Sequence, residues 1–374
     1  MNPLNILLVS GYPPGLHQYG TEKALRALGH TVFTVGASTT AMLQELEAAI
    51  LQYDPGYRYD LIVAADEPLA AILARAPFEP DLLLYLESGI ACLPPGIEEA
   101  PCPVVGLLTE DLLHAHWYSR IYPYFDLGLC TWKATEVAWR AQGYDHVRQW
   151  YYGARPAFSR DPGLPRIHDV AFLGNLNPRV QRKRLPAIQK ILRLRDEGVS
   201  VYVGGGLFFE EYNRVYAQSK IVYHQGITDQ VNMRVFEAMG AGCLVIMRRP
   251  QDPDDPSTRF FRDGEDVVYC DDDDQALDQI RYYLAHEDER RRIAAAGHRR
   301  VHAEHNYEDA VRRLFTDVLP ALPEGLSAAR GARLARFGTD ERRRRLDYAW
   351  YYLSLGALEA ADRQLVVLPD LAAD

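Results

Sequence analysis

The chain has 374 residues, 48% apolar and 25% charged, a soluble-globular balance that suits two ordinary domains better than one core. Its formal net charge of −10 argues against a general nucleic-acid binder, which needs a basic surface, but leaves room for a locally basic pocket. The five cysteines, Cys92, Cys102, Cys130, Cys243 and Cys270, contain no CxxC pair. They indicate neither a zinc site nor a disulfide framework and read as small core residues in a reducing cytoplasm.

The N-terminus, MNPLNILLVSGYPP, lacks a basic region ahead of its short apolar run, so it is not read as a secretory signal. No apolar stretch approaches the roughly 20 residues of a spanning helix, and a cytoplasmic protein is expected. NILLVS (5–10) predicts a buried strand. TEKALRALGHTV then gives a helix with Ala24, Leu25 and Leu28 on one stripe, a stop at Gly29 and the start of the next strand, TVFTVG. Further strands are predicted at LIVAA (61–65), LLLYL (82–86), VVGLL (104–108), LGLCT (127–131) and near Val147. Continuous apolar strands spaced by helices imply a parallel sheet covered on both faces, here a domain over 1–152.

A proline- and glycine-bearing connection follows over 153–168. The alternation then restarts with DVAFLG (169–174), VSVYVGG (199–205), KIVYHQ (220–225), CLVIM (243–247) and VVYC (267–270). The predicted fold is therefore α/β, with two Rossmann-like, doubly wound domains facing a cleft, the second over 169–322. Ligands in such sheets bind at the carboxyl ends of the strands. From 275 the chain reads as polar helices. The DDDD run (271–274) ahead of them suits a cap and dipole partner better than a metal site. The segment 323–374 reads as a helical tail with RRRR at 342–345. Its DYAWYYLSLGALEAADRQL resembles one tetratricopeptide-type hairpin, and a single unit makes no array. Packing on the first domain, a homo-oligomer contact or a partner surface all suit that tail.

GITDQVNMRVFEAMGAGCLVIMRR (226–249) is the most informative segment. It predicts strand, loop, helix, glycine turn and strand, with Thr228 or Asp229 as cap and Val231, Val235 and Ala238 as the core stripe. Exposed N–H groups at the helix start make an anion site, and Arg234, one turn on, adds a charged fork. Glu237 can accept from a ribose diol. A solvated Arg–Glu pair at i,i+3 explains the same two residues, so their spacing alone does not decide.

The segment resembles the donor-binding signature of GT-B glycosyltransferases, and is most similar to the group-1-like branch containing spore-maturation-type enzymes. In that branch an Asn, an Arg and a Glu precede a small-residue turn and a strand, matched by Asn232, Arg234, Glu237 and Ala241-Gly242. The wider retaining group has two acidic residues eight positions apart. Asp229 and Glu237 stand there, with Asp departing from the usual Glu. The resemblance covers about residues 165 to 320, reaches the N-terminal half only in outline and does not extend to the tail.

It implies a nucleotide-diphosphate sugar as co-substrate, a glycan or small-molecule acceptor, and no metal or other cofactor. In AFLGNLNPRVQRKRL (171–185) the family's loop faces the donor phosphates, which makes Asn175 and one of Arg182, Lys183 and Arg184 donor residues. VYVGGGLFF (201–209) adds Gly204 and Gly205, where backbone can approach a ligand closely. On the acceptor side the resemblance points to Gly15, His17 and Gln18 in SGYPPGLHQYG, a loop that is not GxGxxG and so argues against a nicotinamide site. It points also to Asp111 in TEDLLHAHWYSR, with Glu67 and Glu87 at other strand ends. The implied catalytic set is Asp229 on the donor helix, with Asp111 or His17 as base if the product inverts. The acid pair favours retention, with donors preorganised on the departing diphosphate. A sugar-nucleotide epimerase and a non-catalytic scaffold are the competing readings.

Overall fold

The computed structural model describes residues 2–11, 16–38, 54, 56–87, 93–109, 115, 118–151, 153–154, 159–177, 182–226, 229–321, 326–354 and 358–366. The chain divides into two units, one of Met1–Tyr151 with Val311–Asp374 and one of Tyr152–Ala310.

In the first unit the strands are β1 (Asn5–Gly11), β2 (Thr31–Ser38), β3 (Leu61–Ala64), β4 (Leu82–Glu87), β5 (Val104–Leu108), β6 (Leu127–Cys130) and β7 (Val147–Gln149). They pair in parallel in the order β3-β2-β1-β4-β5-β6-β7, the Rossmann order with one further strand at the edge. Ile6, Leu7, Leu8 and Val9 are all fully buried, as a run apolar on both faces requires. The order reverses between β1 and β4, so the first sheet has its switch point there.

The tail belongs to this unit. The chain re-enters it at Val311 rather than after 322, because Val311, Leu314 and Phe315 are apolar side chains that this core takes up. Val311 and Leu314 line one small internal cavity with Thr21, Leu84 and Trp150, and Phe315 stacks on His30 with ring centroids 4.6 Å apart. The helix Leu326–Arg336 then sends Arg330, 1% exposed, into the body of the unit. Its guanidinium pairs with Asp126 and donates to the carbonyls of Glu98 (3.0 Å), Ala100 (3.1 Å) and Cys102 (3.0 Å). Arg333 adds bonds to Pro123 O and Asp126, each 3.0 Å. The helices Glu341–Ser354 and Leu358–Val366 form the expected hairpin; Tyr352 Oη donates to Leu93 O at 2.8 Å.

Arg333 also acts on His146, whose Nε2 bonds Tyr122 O at 2.8 Å. Burial first, and the Arg333 charge second, hold His146 down to about 4. The folded state thus keeps this imidazole neutral, whereas the unfolded chain protonates it near its ordinary value of about 6.5. Its contribution to stability is complete above that value and is lost as pH falls from 6.5 towards 4. The thermal midpoint is expected to drop across this window, and His146→Gln to flatten the drop, as read by circular dichroism. An unchanged slope in the variant would remove His146 from the acid sensitivity.

The second unit holds β8 (His168–Leu173), β9 (Val201–Gly204), β10 (Ser219–His224), β11 (Leu244–Arg248) and β12 (Val268–Cys270). Their order, β12-β11-β10-β8-β9, is again parallel and is the other common doubly wound arrangement. Strand alternation sorts its residues. Ala171, Leu173, Val222 and Val245 pack with Val231, Val235 and Ala238 on one face, although Val231 stands ahead of the helix that carries the other two. Val170, Phe172, Ile221 and Ile246 pack with Ile188, Ile191 and Ile280 on the other. The acidic run is spent on structure: Asp272 caps the helix Asp273–Ala285 through Gln275 N (2.7 Å), while Asp274 pairs with Lys190 (2.6 Å) and Asp271 with Arg249 (3.0 Å). Among the described residues no helix is long and apolar enough to cross a membrane.

Candidate functional site

The order of the second sheet reverses between β8 and β10, so chain leaves their adjacent carboxyl ends towards opposite faces. That divergence opens a crevice, which is where ligands settle in such sheets. Two arginines are fixed at this point. Arg234 Nε donates to Leu173 O, at the end of β8 (2.5 Å), and Nη1 reaches His224 Nδ1, at the end of β10 (3.2 Å). Arg184 repeats the span through Asn175 O (2.7 Å) and Gln225 O (3.0 Å). Both guanidinium groups lie against the Phe172 ring, 5.0 Å and 5.4 Å from its centroid.

His224 is fully buried and neutral. Burial first, then the Arg234 charge, hold its pKa well below the ordinary value. Its Nε2 lies 3.1 Å from Gln230 O, so Nε2 carries the proton and Nδ1 presents a lone pair to Arg234. A charged imidazole here could not accept that bond. Gly174 completes the cradle: a Cβ at this position would overlap Arg234 Nη2, so no larger residue fits beneath the guanidinium. The neighbouring loop is equally close. Gly204 O accepts from Gly174 N at 3.0 Å, and a Cβ on Gly205 would fall 3.0 Å from Gly174 O.

The helix carrying Arg234 runs Met233–Gly240. The expected cap at Thr228 or Asp229 is corrected: Asn232 Oδ1 accepts from Arg234 N (3.1 Å), 229–232 lie outside the helix, and Thr228 lies outside the described residues. The reason is conformational. A cap residue needs extended backbone, which Asn232 has at φ −137°, whereas Asp229 sits in the left-handed region at φ 56°. Asn232 therefore spends its side chain on the helix end, and the start of the helix moves from 228–232 to Met233. Asp229 is 8% exposed, and its Oδ1 is buried with no hydrogen-bond partner among the described residues. A strained backbone bearing an unsatisfied carboxylate oxygen is the kind of feature that concentrates at functional sites.

Glu237 follows Arg234 by one turn and is half-buried. Burial pushes the Tyr216 phenol upward, the Arg234 charge opposes this and Glu237 adds to it, which places all three in one electrostatic neighbourhood. Tyr216 and Tyr212 share a 3.0 Å hydroxyl contact. Of the basic triplet, Arg184 alone is buried, at 3% exposure; Arg182 and Lys183 are exposed in the preceding turn. Asn175 contributes its carbonyl, while its side chain closes a local turn on Asn177 N (2.8 Å). His17 is half-buried in the first turn of the helix Leu16–Ala27 in the first unit. Gln18 beside it is buried and bonded through Nε2 to Tyr57 Oη at 2.6 Å. Glu67 is paired with Arg75. Gly15 and Asp111 lie outside the described residues, as does the Glu87 side chain.

His224, Phe172, Gln225 and the Tyr212–Tyr216 pair escaped the sequence reading. The first and third end the strand KIVYHQ, and position at a carboxyl end was the available signal. The tyrosines stand at i,i+4 in the helix Phe209–Ala217, which looks like ordinary core spacing.

The two units have the fold of the GT-B glycosyltransferases. Residues 165–316, which take in the second unit from 165 onward, match the model of the glycosyl transferase-like family. No curated protein matches the chain by sequence. Among solved structures, Anabaena Alr3699/HepE in complex with UDP is similar at 14% identity and a TM-score of 0.57, over 86% of this chain and 100% of that one. An alpha-glucosyltransferase in complex with UDP-glucose and DNA is similar at 9% identity and 0.57, over 84% and 99%. A glycosyltransferase from Rickettsia africae follows at 12% and 0.53, over 84% and 97%. At such identities these likenesses carry the fold.

Proposed function

We propose that the protein transfers a sugar from a nucleoside-diphosphate donor, with retention of configuration and without a metal, to a glycan or small-molecule acceptor in the cytoplasm. The observation that carries this reading is the pair of guanidinium groups pinned at the switch point by four backbone and imidazole acceptors. Fixed cations there can meet a diphosphate without reorganising, and they favour most the state in which the leaving phosphate gains charge. Arg234 and Arg184 take the diphosphate, Glu237 the ribose diol and Asp229 the sugar hydroxyls. With phosphate charge met by arginine, the departing diphosphate can accept the acceptor's proton on the face it leaves. The solved structures with UDP and UDP-glucose support a uridine donor first. The alpha-glucosyltransferase of similar fold is crystallised with DNA, but a net charge of −10 disfavours a polyanionic acceptor for this chain.

The test is release of nucleoside diphosphate from a donor panel led by UDP-glucose, with and without chelator, and anomeric analysis of the released sugar. Slow release from at least one donor, unaffected by chelator, is expected. No release from any donor overturns the transferase reading, and chelator-sensitive release overturns metal independence.

Asp229→Gly separates stability from activity. Glycine adopts φ 56° without strain and removes a buried carboxylate, so the variant gains about 1 kcal/mol in denaturant unfolding. Donor turnover falls at least about 10-fold, as loss of one oriented contact predicts. A gain in stability with full activity would take Asp229 out of the site.

A further inference from the structure

Beyond the switch-point site, the second unit has a cavity of about 400 Å³ at the other end of the Met233–Gly240 helix. One face of the helix Glu287–Glu304 forms its long wall. Arg290 and Arg291 stand at one end, His298 and Arg299 at the other, and Ala294 and Ala295 make a floor of small side chains between them. Arg166, Asp161 and Gly242 close the opposite side.

Two of the four arginines are spent on the wall itself. Arg166 bonds the carbonyls of Ser219 (3.0 Å) and Ala241 (3.1 Å) and pairs with Asp161 (2.6 Å). Arg290 is buried and pairs with Glu287 (2.7 Å). Gly242 holds φ +77°, and a Cβ there would fall 2.7 Å from Asp161 and 2.8 Å from Arg166, so only glycine lets this wall close. The other two differ. Arg291 is largely exposed and shares Glu287 at 2.8 Å; Arg299 is exposed and makes no ion pair among the described residues. His298 Nδ1 is buried without a hydrogen-bond partner among those residues. Four guanidinium groups against Asp161 and Glu287 leave two positive charges, in a chain whose net charge is −10.

We infer that this cavity is a second binding site, for a small phosphate monoester of sugar-phosphate size. Arg299, beside His298, meets the dianionic phosphate by charge and hydrogen bonding, and Arg291 at the opposite end donates to the hydroxyls of the organic part. The alanine floor receives the organic part, which is why the cavity is larger than bare phosphate needs. The site is separate from Arg234, so it stands or falls independently of the donor reading.

The experiment titrates the full chain and its Arg234→Ala variant with glucose 1-phosphate and with inorganic phosphate, followed by calorimetry. Glucose 1-phosphate is expected to bind both proteins with Kd below about 1 mM, and at least about 10-fold more tightly than inorganic phosphate. The double variant Arg291→Ala/Arg299→Ala weakens it about 10-fold or more with an unchanged unfolding midpoint, since both side chains are exposed. Three results overturn the inference: no binding at roughly 10 mM, binding that survives the double variant, or binding lost with Arg234→Ala. Equal affinity for inorganic phosphate overturns the monoester assignment.

Discussion

Arg234→Ala weakens binding of the preferred nucleoside diphosphate by on the order of 10–100-fold, the cost of one charged, hydrogen-bonded contact. Calorimetry with uridine, guanosine, adenosine and thymidine diphosphates reads the effect. Lysine does not rescue it: a single ammonium cannot span Leu173 O and His224 Nδ1 while lying flat on Phe172. The variant also leaves those two acceptors without their donor, so a modest loss of stability accompanies the loss of affinity. Arg184→Ala, which frees Asn175 O and Gln225 O, follows the same pattern. Arg182→Ala and Lys183→Ala provide the contrast, because exposed side chains away from such networks change free energies by only about 0.5 kcal/mol. Unchanged affinity in Arg234→Ala would remove it from the site.

The largest expected effect on stability lies in the tail. Arg330→Ala strands the Asp126 carboxylate, 1% exposed, and takes the donor from three carbonyls of the 98–102 segment. Breaking a buried pair in this way costs about 3–5 kcal/mol. For a unit of this size that lowers the thermal midpoint by on the order of 10 °C. Asp126 keeps Arg333 at 3.0 Å, which limits the loss and keeps the variant measurable. Arg336→Ala is the control: its pair with Asp145 is exposed on both sides and should leave the midpoint nearly unchanged. A shift no larger than that control would mean that the tail is not anchored through Arg330. Early proteolysis of Arg330→Ala beyond residue 321 is the companion result.

Much of this architecture is written locally. Runs such as NILLVS and CLVIM are apolar on both faces, which forces buried parallel strands; Val235 and Ala238 found their core from the helix, and Val231 reaches the same core from the segment before it. The failures share a cause. Thr228, Asp229 and Asn232 are all good caps by composition, and only the backbone shows that Asn232 takes the part while Asp229 is held at φ 56°. Within Arg182, Lys183 and Arg184 the choice depends on where the helix begins, since one residue of phase decides burial. Arg330 stands in an alanine–arginine segment that reads as solvated. Its partner, Asp126, is 204 positions away, and no local signal links the two. His224 and Gln225 were visible only as the end of a strand; their role emerges once β8 and β10 are seen to be neighbours across the reversal.

The most direct measurement is a crystal structure with UDP bound, because the whole account rests on a diphosphate seated between the ends of β8 and β10. The predicted result has phosphate oxygens within hydrogen-bonding reach, about 3 Å, of Arg234 and Arg184, with the ribose against Glu237. A nucleotide bound elsewhere on the chain, with both guanidinium groups untouched, would contradict it.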